Sequence, residues 1–372
     1  MEKVRIGVIG LGNMGAVHAR YIAAGEIPGG ELTAVCDVSA GRLGWAGREL
    51  GEKVALFDDA DKMMSSGNVD AVIIATIHNT HPELAIKAFD KGLHVLIEKP
   101  AGVYTKQVAQ MNSRAQNSGR VFAIMYNQRT NPVYLKLKDL VDSNELGEIK
   151  RTNWIITSWY RPQSYYDQGG WRATWRGEGG GVLLNQDPHQ LDIWQWICGM
   201  PKRVRAFCYC GKYHKIEVED DVTAFVEYDN GATGVFVTST GDAPGTNRFE
   251  ISADKGKVVV ENDTLTFYRL RVPEREFNAR FKGGFGAPEC WRCEVPVKGE
   301  NLQHKGITAN WVSAITKGTP LIAAGEEGIK GLSISNAMYL SSWTDSWIDL
   351  PIDEDLFFEE FSKKIKEGKT AE

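Results

Sequence analysis

No apolar run in this chain reaches the roughly 18 to 20 residues that a membrane-spanning helix needs. The first apolar run, residues 4–9, begins so near Met1 that a secretory signal has no room. Long like-charge blocks, low-complexity linkers and internal repeats are missing too, which argues against a disordered tail and against a solenoid. The formal charge of -5 gives no general attraction for nucleic acid, and the small cluster Lys202, Arg203 and Arg205 lies in an alternating run that reads as the exposed face of a strand. The expectation is a cytoplasmic protein without membrane or nucleic-acid partners.

Cysteine is sparse. The six are Cys36, Cys198, Cys208, Cys210, Cys290 and Cys293, and without a secretory signal they read as reduced thiols. Two short pairs, Cys208-x-Cys210 and Cys290-x-x-Cys293, would together supply four thiolates for zinc. Pairs so far apart in sequence are a weak zinc pattern, and Cys208 and Cys210 share one face of a strand predicted over residues 204–210, so the expectation is core thiols and no metal.

What is present is 372 residues, 42% of them hydrophobic and 24% charged, enough for two cores at about 100 to 200 residues per domain. The first third alternates short apolar runs, at residues 4–9, 32–36, 54–57, 71–75, 94–97 and 121–126, with helical patterns at 14–24, 82–91 and 105–117. That is the signature of α/β structure with a doubly wound parallel sheet. After residue 126 the pattern changes to a helix at 132–144 and then to longer alternating strands joined by turns such as Asp229-Asn230-Gly231 and Asp254-Lys255-Gly256. Helical patterns return at 189–198, 308–317 and 326–342. The reading is a nucleotide-binding domain over 1–126 and an α+β domain over 127–372, whose large, mostly antiparallel sheet has one face covered by helices. Its open face is a candidate surface for homo-oligomers. A tail at 353–366 reads as an amphipathic helix that docks Leu356, Phe357 and Phe361 on the body.

The run Gly10-Leu11-Gly12-Asn13-Met14-Gly15 follows the first strand and opens the first helix, the context a dinucleotide fingerprint requires. Gly10 allows the tight turn, Gly12 lets the backbone approach a pyrophosphate, and Gly15 lets helix and strand pack closely, while the free amides of the helix meet the phosphate charge. Asp37 ends the second strand, where a carboxylate accepts both hydroxyls of an adenosine ribose. That favours NAD over NADP, although Arg42 nearby softens the preference. Lys99, in Glu98-Lys99-Pro100, stands at the carboxyl end of the fifth strand, where an open parallel sheet binds its ligands, and its ammonium there would stabilise an alkoxide as a hydride leaves. A second constellation spans residues 179–192, with three glycines, Asn185, Asp187, His189 and Asp192. His189 at the mouth of a helix suits removal of an alcohol proton, with Asp192 on the same helical face.

Aromatic residues are concentrated just before and inside that segment. Trp154, Trp159, Trp171, Trp175, Trp194 and Trp196 occur with Tyr160, Tyr165, Tyr166, Arg161, Arg172 and Arg176. Aromatic faces stack on the C–H faces of sugar rings and arginines bind hydroxyls, so a carbohydrate, polyol or glycoside is the expected substrate, with Trp159, Tyr165, Tyr166, Trp171, Trp175 and Arg176 lining its pocket. Trp194 and Trp196 lie side by side on a helix, where at least one is core.

In the order and spacing of these pieces, together with residues 75–81, Asn127-Gln128-Arg129, residues 314–318 and Leu350-Pro351, the chain resembles the Gfo/Idh/MocA family of oxidoreductases along its whole length. The resemblance implies NAD contacts from Asn13, Met14, Thr76, His78, His81, Glu98, Lys99 and Gln128. It makes Lys99 the residue that orients the reacting hydroxyl and His189 the acid/base, with Asn185, Asp187 and Asp192 at the substrate. Asn185 stands where many members carry aspartate, and Ile77-His78 where many carry Pro-Asn. The function implied is transfer of a hydride between a secondary alcohol of a sugar-like substrate and NAD. One alternative is oxidation of a glycoside as the first step of its cleavage, with the NAD retained and recycled. A non-catalytic NAD or sugar sensor is a third reading, which the presence of both Lys99 and His189 disfavours.

Overall fold

A computed structural model describes residues 3–368. In chain order the first part reads β1 (Val4–Ile9), α1 (Asn13–Ala23), β2 (Gly30–Cys36), α2 (Ala40–Glu49), β3 (Ala55–Phe57), α3 (Ala60–Ser65), β4 (Ala71–Ile74), α4 (His81–Asp90), β5 (His94–Ile97), α5 (Thr105–Ser118) and β6 (Phe122–Ile124). The rest reads α6 (Pro132–Asp142), β7 (Ile149–Ile156), α7 (Gln163–Tyr166), α8 (Val182–Asn185), α9 (Pro188–Cys198), β8 (Arg203–Cys210), β9 (Glu219–Glu227), β10 (Thr233–Ser239), β11 (Asn247–Ala253), β12 (Gly256–Glu261), β13 (Thr264–Leu270), α10 (Glu274–Arg280), β14 (Cys290–Glu294), α11 (Gln303–Lys317), α12 (Gly328–Thr344), β15 (Ile348–Asp349) and α13 (Glu354–Glu367). Among the described residues no helix is long and apolar enough to cross a membrane.

The chain forms two compact units. The first comprises residues 1–130, 177–179 and 302–332, and the second comprises 131–176, 180–301 and 333–372. In the first, six parallel strands run in the order β3-β2-β1-β4-β5-β6, as the alternation of apolar runs and helices predicts. The strand order reverses between β1 and β4, so the crevice such sheets use lies at their carboxyl ends. Residues 302–332 return to this unit through a buried ion pair and backbone hydrogen bonds. Fully buried Arg129 pairs with Glu327 and donates to the Ile322 carbonyl at 3.2 Å, and Ile124 N donates to the Ala323 carbonyl at 3.2 Å beside β6. A buried guanidinium requires such a partner, which a single division of the chain near residue 126 does not anticipate.

The second unit is built on a nine-stranded sheet in the order β14-β13-β12-β11-β7-β10-β9-β8-β15, antiparallel except for the β7–β10 pair. Alternation along its strands sends Val204, Ala206, Val222, Ala224, Trp154, Phe236, Phe249 and Phe267 into the core. The opposite face carries exposed Ile155, Phe207, Tyr209 and Phe225 toward one edge and the paired charges Arg248, Glu250 and Glu261 toward the other. Of the two cysteines expected in the core, Cys208 is half-buried and Cys210 exposed, and the pairing of β8 with β9 shifts register between Tyr209 and Cys210. The two cysteine pairs lie on β8 and β14, seven strand spacings or about 34 Å apart at ~4.8 Å each, too far to share one zinc ion. In the tail, Phe357 and Phe361 pack on Trp343 as expected, one helical turn apart. Leu356 points away and is exposed, since a neighbouring helical position faces a different direction.

A buried carboxylate sets the segment that leads to α8 and α9. Glu219, at the first position of β9, accepts Gly181 N at 2.9 and 3.0 Å, Leu183 N at 3.0 Å and the Tyr339 hydroxyl at 2.7 Å. The approach demands glycine, because a Cβ on Gly181 would lie 1.9 Å from the Glu219 carbonyl oxygen and one on Gly180 would lie 2.2 Å from the Tyr339 hydroxyl. Burial pushes the Glu219 carboxyl up to about 7, against the pull of the Tyr339 hydroxyl and the backbone donors. A carboxyl raised in the folded state contributes stability below its unfolded value near 4.5, and that contribution is lost as pH rises toward 7. The expected outcome is that the melting midpoint of the parent exceeds that of Glu219→Gln by several degrees more at pH 5 than at pH 8. A gap that stays constant or widens with pH would show that the carboxyl is not raised in the folded state.

Candidate active site

The turn after β1 is built as its glycines require. A Cβ on Gly15 would lie 1.7 Å from the Gly10 carbonyl oxygen, so helix and turn are in direct contact. A Cβ on Gly12 would meet no protein atom within 4 Å, and this open backbone stands at the N-terminus of α1, where the helix carries partial positive charge. Asn13 is exposed and Met14 half-buried in the same first turn. Asp37 follows β2 directly, with one carboxylate oxygen 2.6 Å from Leu11 N and the other 2.8 Å from Ser39 N. A carboxylate has about four acceptor positions, so it retains capacity for ribose hydroxyls. Arg42 lies exposed on α2 just beyond it. This open, amide-rich turn beside a carboxylate fits NAD.

Beyond β4, Thr76 is half-buried and shares a 2.7 Å hydrogen bond with the Thr80 hydroxyl, while buried His78 approaches the Glu178 carbonyl at 3.2 Å through Nδ1. His81, expected at the cofactor, is fully buried, with Nδ1 2.8 Å from the Pro100 carbonyl and Nε2 3.1 Å from the Thr76 carbonyl. Burial holds its imidazole below the usual histidine range, and both nitrogens are taken up in tying together the segments that follow β4 and β5. Glu98 is likewise turned inward. One of its oxygens meets His18 Nε2 at 2.7 Å and the other accepts Lys99 N at 3.1 Å, so its carboxylate supports the turn and is not presented to a cofactor. Burial alone would raise this carboxyl, but the hydrogen bond from His18, with the charges of His18, His304 and Lys99, holds it down at about 2. Lys99 is half-buried at the carboxyl end of β5, and Gln128 half-buried in the turn after β6.

In the second unit the aromatic segment and the start of α9 form one cluster. The Tyr165 hydroxyl lies 3.0 Å from Arg172 Nη1 and 3.3 Å from Asn185 Nδ2. Arg172 also stands over the Trp171 ring at 4.6 Å, and Arg161 over the Tyr165 ring at 5.3 Å. Asp187 is buried just before α9 and accepts Trp159 Nε1 at 2.7 Å. Tyr166 is anchored by its hydroxyl on Thr240 at 2.8 Å and by its ring on His214, which itself bridges the Asp220 carboxylate at 2.9 Å and the Arg161 carbonyl at 2.8 Å. His189 is half-buried in the first turn of α9, after Pro188. Asp192, one turn on, is fully buried and accepts Gln195 Nε2 at 3.0 Å.

Two expectations change here. Trp175 is buried against Tyr339, Trp343 and Phe361, so its ring is packing and does not stand with the other loop aromatics, while Arg176 beside it is exposed. Trp194 is the core member of its pair, stacked on Phe236 with Nε1 3.0 Å from the Thr152 hydroxyl, and Trp196 is half-buried beneath Lys138. His18, His214, Glu219 and Asp220, which hold the site segments, carry no local sequence signal of that role. Their partners lie far along the chain.

Comparison with known proteins bears on both units. A family model described as an oxidoreductase family with an NAD-binding Rossmann fold matches residues 4–126, and one described as a GFO/IDH/MocA C-terminal domain matches residues 134–259. The scyllo-inositol 2-dehydrogenase (NAD(+)) of Bacillus subtilis is 26% identical over 268 residues, which is 70% of this chain and 74% of the relative. The myo-inositol 2-dehydrogenase of Thermotoga maritima is 28% identical over 288 residues, 75% of this chain and 81% of that one. Among solved structures, the WlbA dehydrogenase of Bordetella pertussis, in complex with NADH and UDP-GlcNAcA, is 25% identical with a TM-score of 0.80, covering 95% of this chain and 100% of that one.

The placement of Asp37 predicts tighter binding of NADH than of NADPH, because a 2'-phosphate would meet like charge. Titration of nucleotide fluorescence should show at least a tenfold preference, a gap worth about 1.4 kcal/mol, and Asp37→Ser should narrow or reverse it. Equal affinities in the parent would remove Asp37 from this role.

Proposed function

Because the chain belongs to the Gfo/Idh/MocA family of NAD-binding oxidoreductases, we propose that it transfers a hydride between a secondary hydroxyl of a sugar, polyol or glycoside and the nicotinamide of NAD. The observation that carries the substrate class is the cluster of Trp159, Tyr165 and Trp171 interleaved with Arg161, Arg172, Asn185 and Asp187. Apolar ring faces suit the C–H faces of a cyclic polyol, and the cationic and amide groups among them suit its hydroxyls. The relatives named for inositols and the neighbour bound to a sugar nucleotide point to the same chemistry.

Bound NAD+ supplies the acceptor for the hydride that leaves the carbinol carbon. In this reading the Lys99 ammonium donates to the substrate oxygen and stabilises the negative charge that grows on it during oxidation. Neutral His189 accepts the hydroxyl proton and returns it in the reverse direction. Asn185 and Tyr165 bind neighbouring hydroxyls as neutral groups where an aspartate would have added charge. Asp187, held by Trp159, fixes the entry to the helix that bears His189. The second proposed partner is another copy of the chain, on the exposed sheet face where Ile155, Phe207, Tyr209 and Phe225 stand beside paired charges. A glycoside oxidised with its NAD retained would give product without net NADH, so substrate screens require product analysis alongside absorbance.

Lys99→Ala is expected to keep NADH affinity within a few-fold and to remove most turnover. Loss of NADH binding with residual chemistry intact would make Lys99 a cofactor residue. His189→Ala should lower kcat by roughly 10² to 10⁴ with little change in melting midpoint, the usual worth of positioned proton transfer. A folded His189→Ala protein with near-normal kcat would move the base elsewhere.

A further inference from the structure

The nine-stranded sheet ends on a strand with one open side. β14 pairs with β13 from Cys290 opposite Leu270 to Glu294 opposite Thr266, and among the described residues no strand pairs with its other side. Four of its five residues are exposed and Cys293 is half-buried. The preceding helix, α10, is drawn away from this edge, since Glu274 pairs with Lys150 on β7 and Arg275 with Glu148 just before it. An open edge usually carries lysine, proline or a bulge that stops a second strand from adding to it. β14 has none of these, and its pairing with β13 runs without a register shift. Pro288 and Pro296 stand outside it, where they bound the run available for pairing.

The ladder on the closed side decides which groups face the open one. Val295 N donates to the Leu265 carbonyl at 2.9 Å and Arg271 N to the Glu289 carbonyl at 2.9 Å, so the odd-numbered residues of this run direct their N–H and C=O groups at β13. Arg292 and Glu294 direct theirs outward. An antiparallel partner must bond through these residues, and for a second copy of the same strand that leaves few registers. Arg292 opposite Arg292, or Glu294 opposite Glu294, sets like charges face to face. Shifts further either way put Pro288 or Pro296 opposite Glu294, where a donor is missing. Arg292 opposite Glu294 sets opposite charges together on both sides of a two-fold axis, and neither residue has an ion-pair partner of its own among the described residues. In that register the axis passes through Cys293. Trp291 of each copy then lies opposite Val295 of the other, so the second face of the pair is apolar and self-complementary too.

We propose that β14 pairs antiparallel with β14 of a second copy in this register, joining two nine-stranded sheets edge to edge about a two-fold axis at Cys293. The contact leaves both sheet faces as they are, so it is separate from the sheet-face contact above. A strand this short is small beside the roughly 20 to 30 residues a side of a standard interface, so association through the edge alone depends on concentration.

Sedimentation velocity of the full chain from about 1 to 100 µM reads the particle mass. At the upper end the parent should reach twice the mass of Arg292→Glu or of Glu294→Arg, since either change opposes like charges at both pairs. The exchange of both, Arg292→Glu/Glu294→Arg, restores opposite charges in the same register and should restore the parent mass. A second measurement needs no substitution in the edge. Diamide, which takes two electrons and two protons from a pair of thiols, should link two parent chains through Cys293 of each, because residues opposed at a non-hydrogen-bonded site lie about 4.5 Å apart at Cα, within the span of a disulfide. Cys293→Ser should stay unlinked. A mass that none of the charge variants alters, as a monomer or a dimer held by the sheet face alone would give, overturns the proposal. So does a loss of mass in the double variant as large as in the single ones, which would mean that the two charges do not face each other. A link formed through Cys290, which lies opposite Pro296 in this register, also overturns it.

Discussion

A carboxylate taken out of water must collect donors, and in each unit of this protein the donors include backbone amides of the segment proposed to carry the chemistry. Glu219 collects Gly181 N, Leu183 N and the Tyr339 hydroxyl, and so fixes the backbone that continues into Asn185, Asp187 and His189. Glu98 collects Lys99 N and His18, and so fixes the end of β5. The two resolve the same constraint differently. Burial would raise the Glu98 carboxyl, but the hydrogen bond from His18 and the nearby Lys99 charge hold it down at about 2, whereas Glu219 has only neutral donors and burial pushes it up to about 7. The glycines at 180 and 181 follow from this, since side chains there would occupy the space of Tyr339 and the β9 backbone.

The aromatic segment shows how the same residue types divide between support and surface. Trp154, Trp175 and Trp194 are spent on ring stacking inside the second unit. Trp159, Tyr165 and Trp171 are held at their polar ends or beside arginines, which leaves them half-buried and amphipathic. Such groups present an apolar face and a polar rim together, as a ring of secondary hydroxyls requires. Asn185 in place of a carboxylate suits this arrangement. Its amide donates to Tyr165, which an aspartate would not do, so the phenol oxygen is fixed by two donors.

Much of this was legible in the residues themselves. β1, β5 and the helices at α1, α4 and α5 follow from apolar period and glycine or proline punctuation, and the parallel sheet follows from their alternation. Helices α2 and α3 are absent from that reading for physical reasons. The first contains Gly41, Gly44 and Gly47 and buries only Ala46, and the second is a single capped turn and a half, so neither carries a helical apolar stripe. The return of residues 302–332 to the first unit depends on Arg129 meeting Glu327, a pairing no local pattern announces. The same holds for the site. Lys99, Asp37 and His189 stand at strand or helix ends where the fold predicts chemistry, but Glu98 reads equally well as a ligand contact or a buried support. Only the position of His18, eighty residues earlier, separates the two.

The central claim is that a carbon-bound hydrogen of a secondary alcohol passes to NAD. It is tested most directly by incubating the protein with NAD+ and a panel of carbon-deuterated inositols, free hexoses and methyl glycosides, then measuring the mass of the nucleotide. The account predicts NADH one mass unit heavier with at least one cyclic polyol or sugar. NADH without deuterium, or none from any member while the folded protein binds the nucleotide, would contradict it.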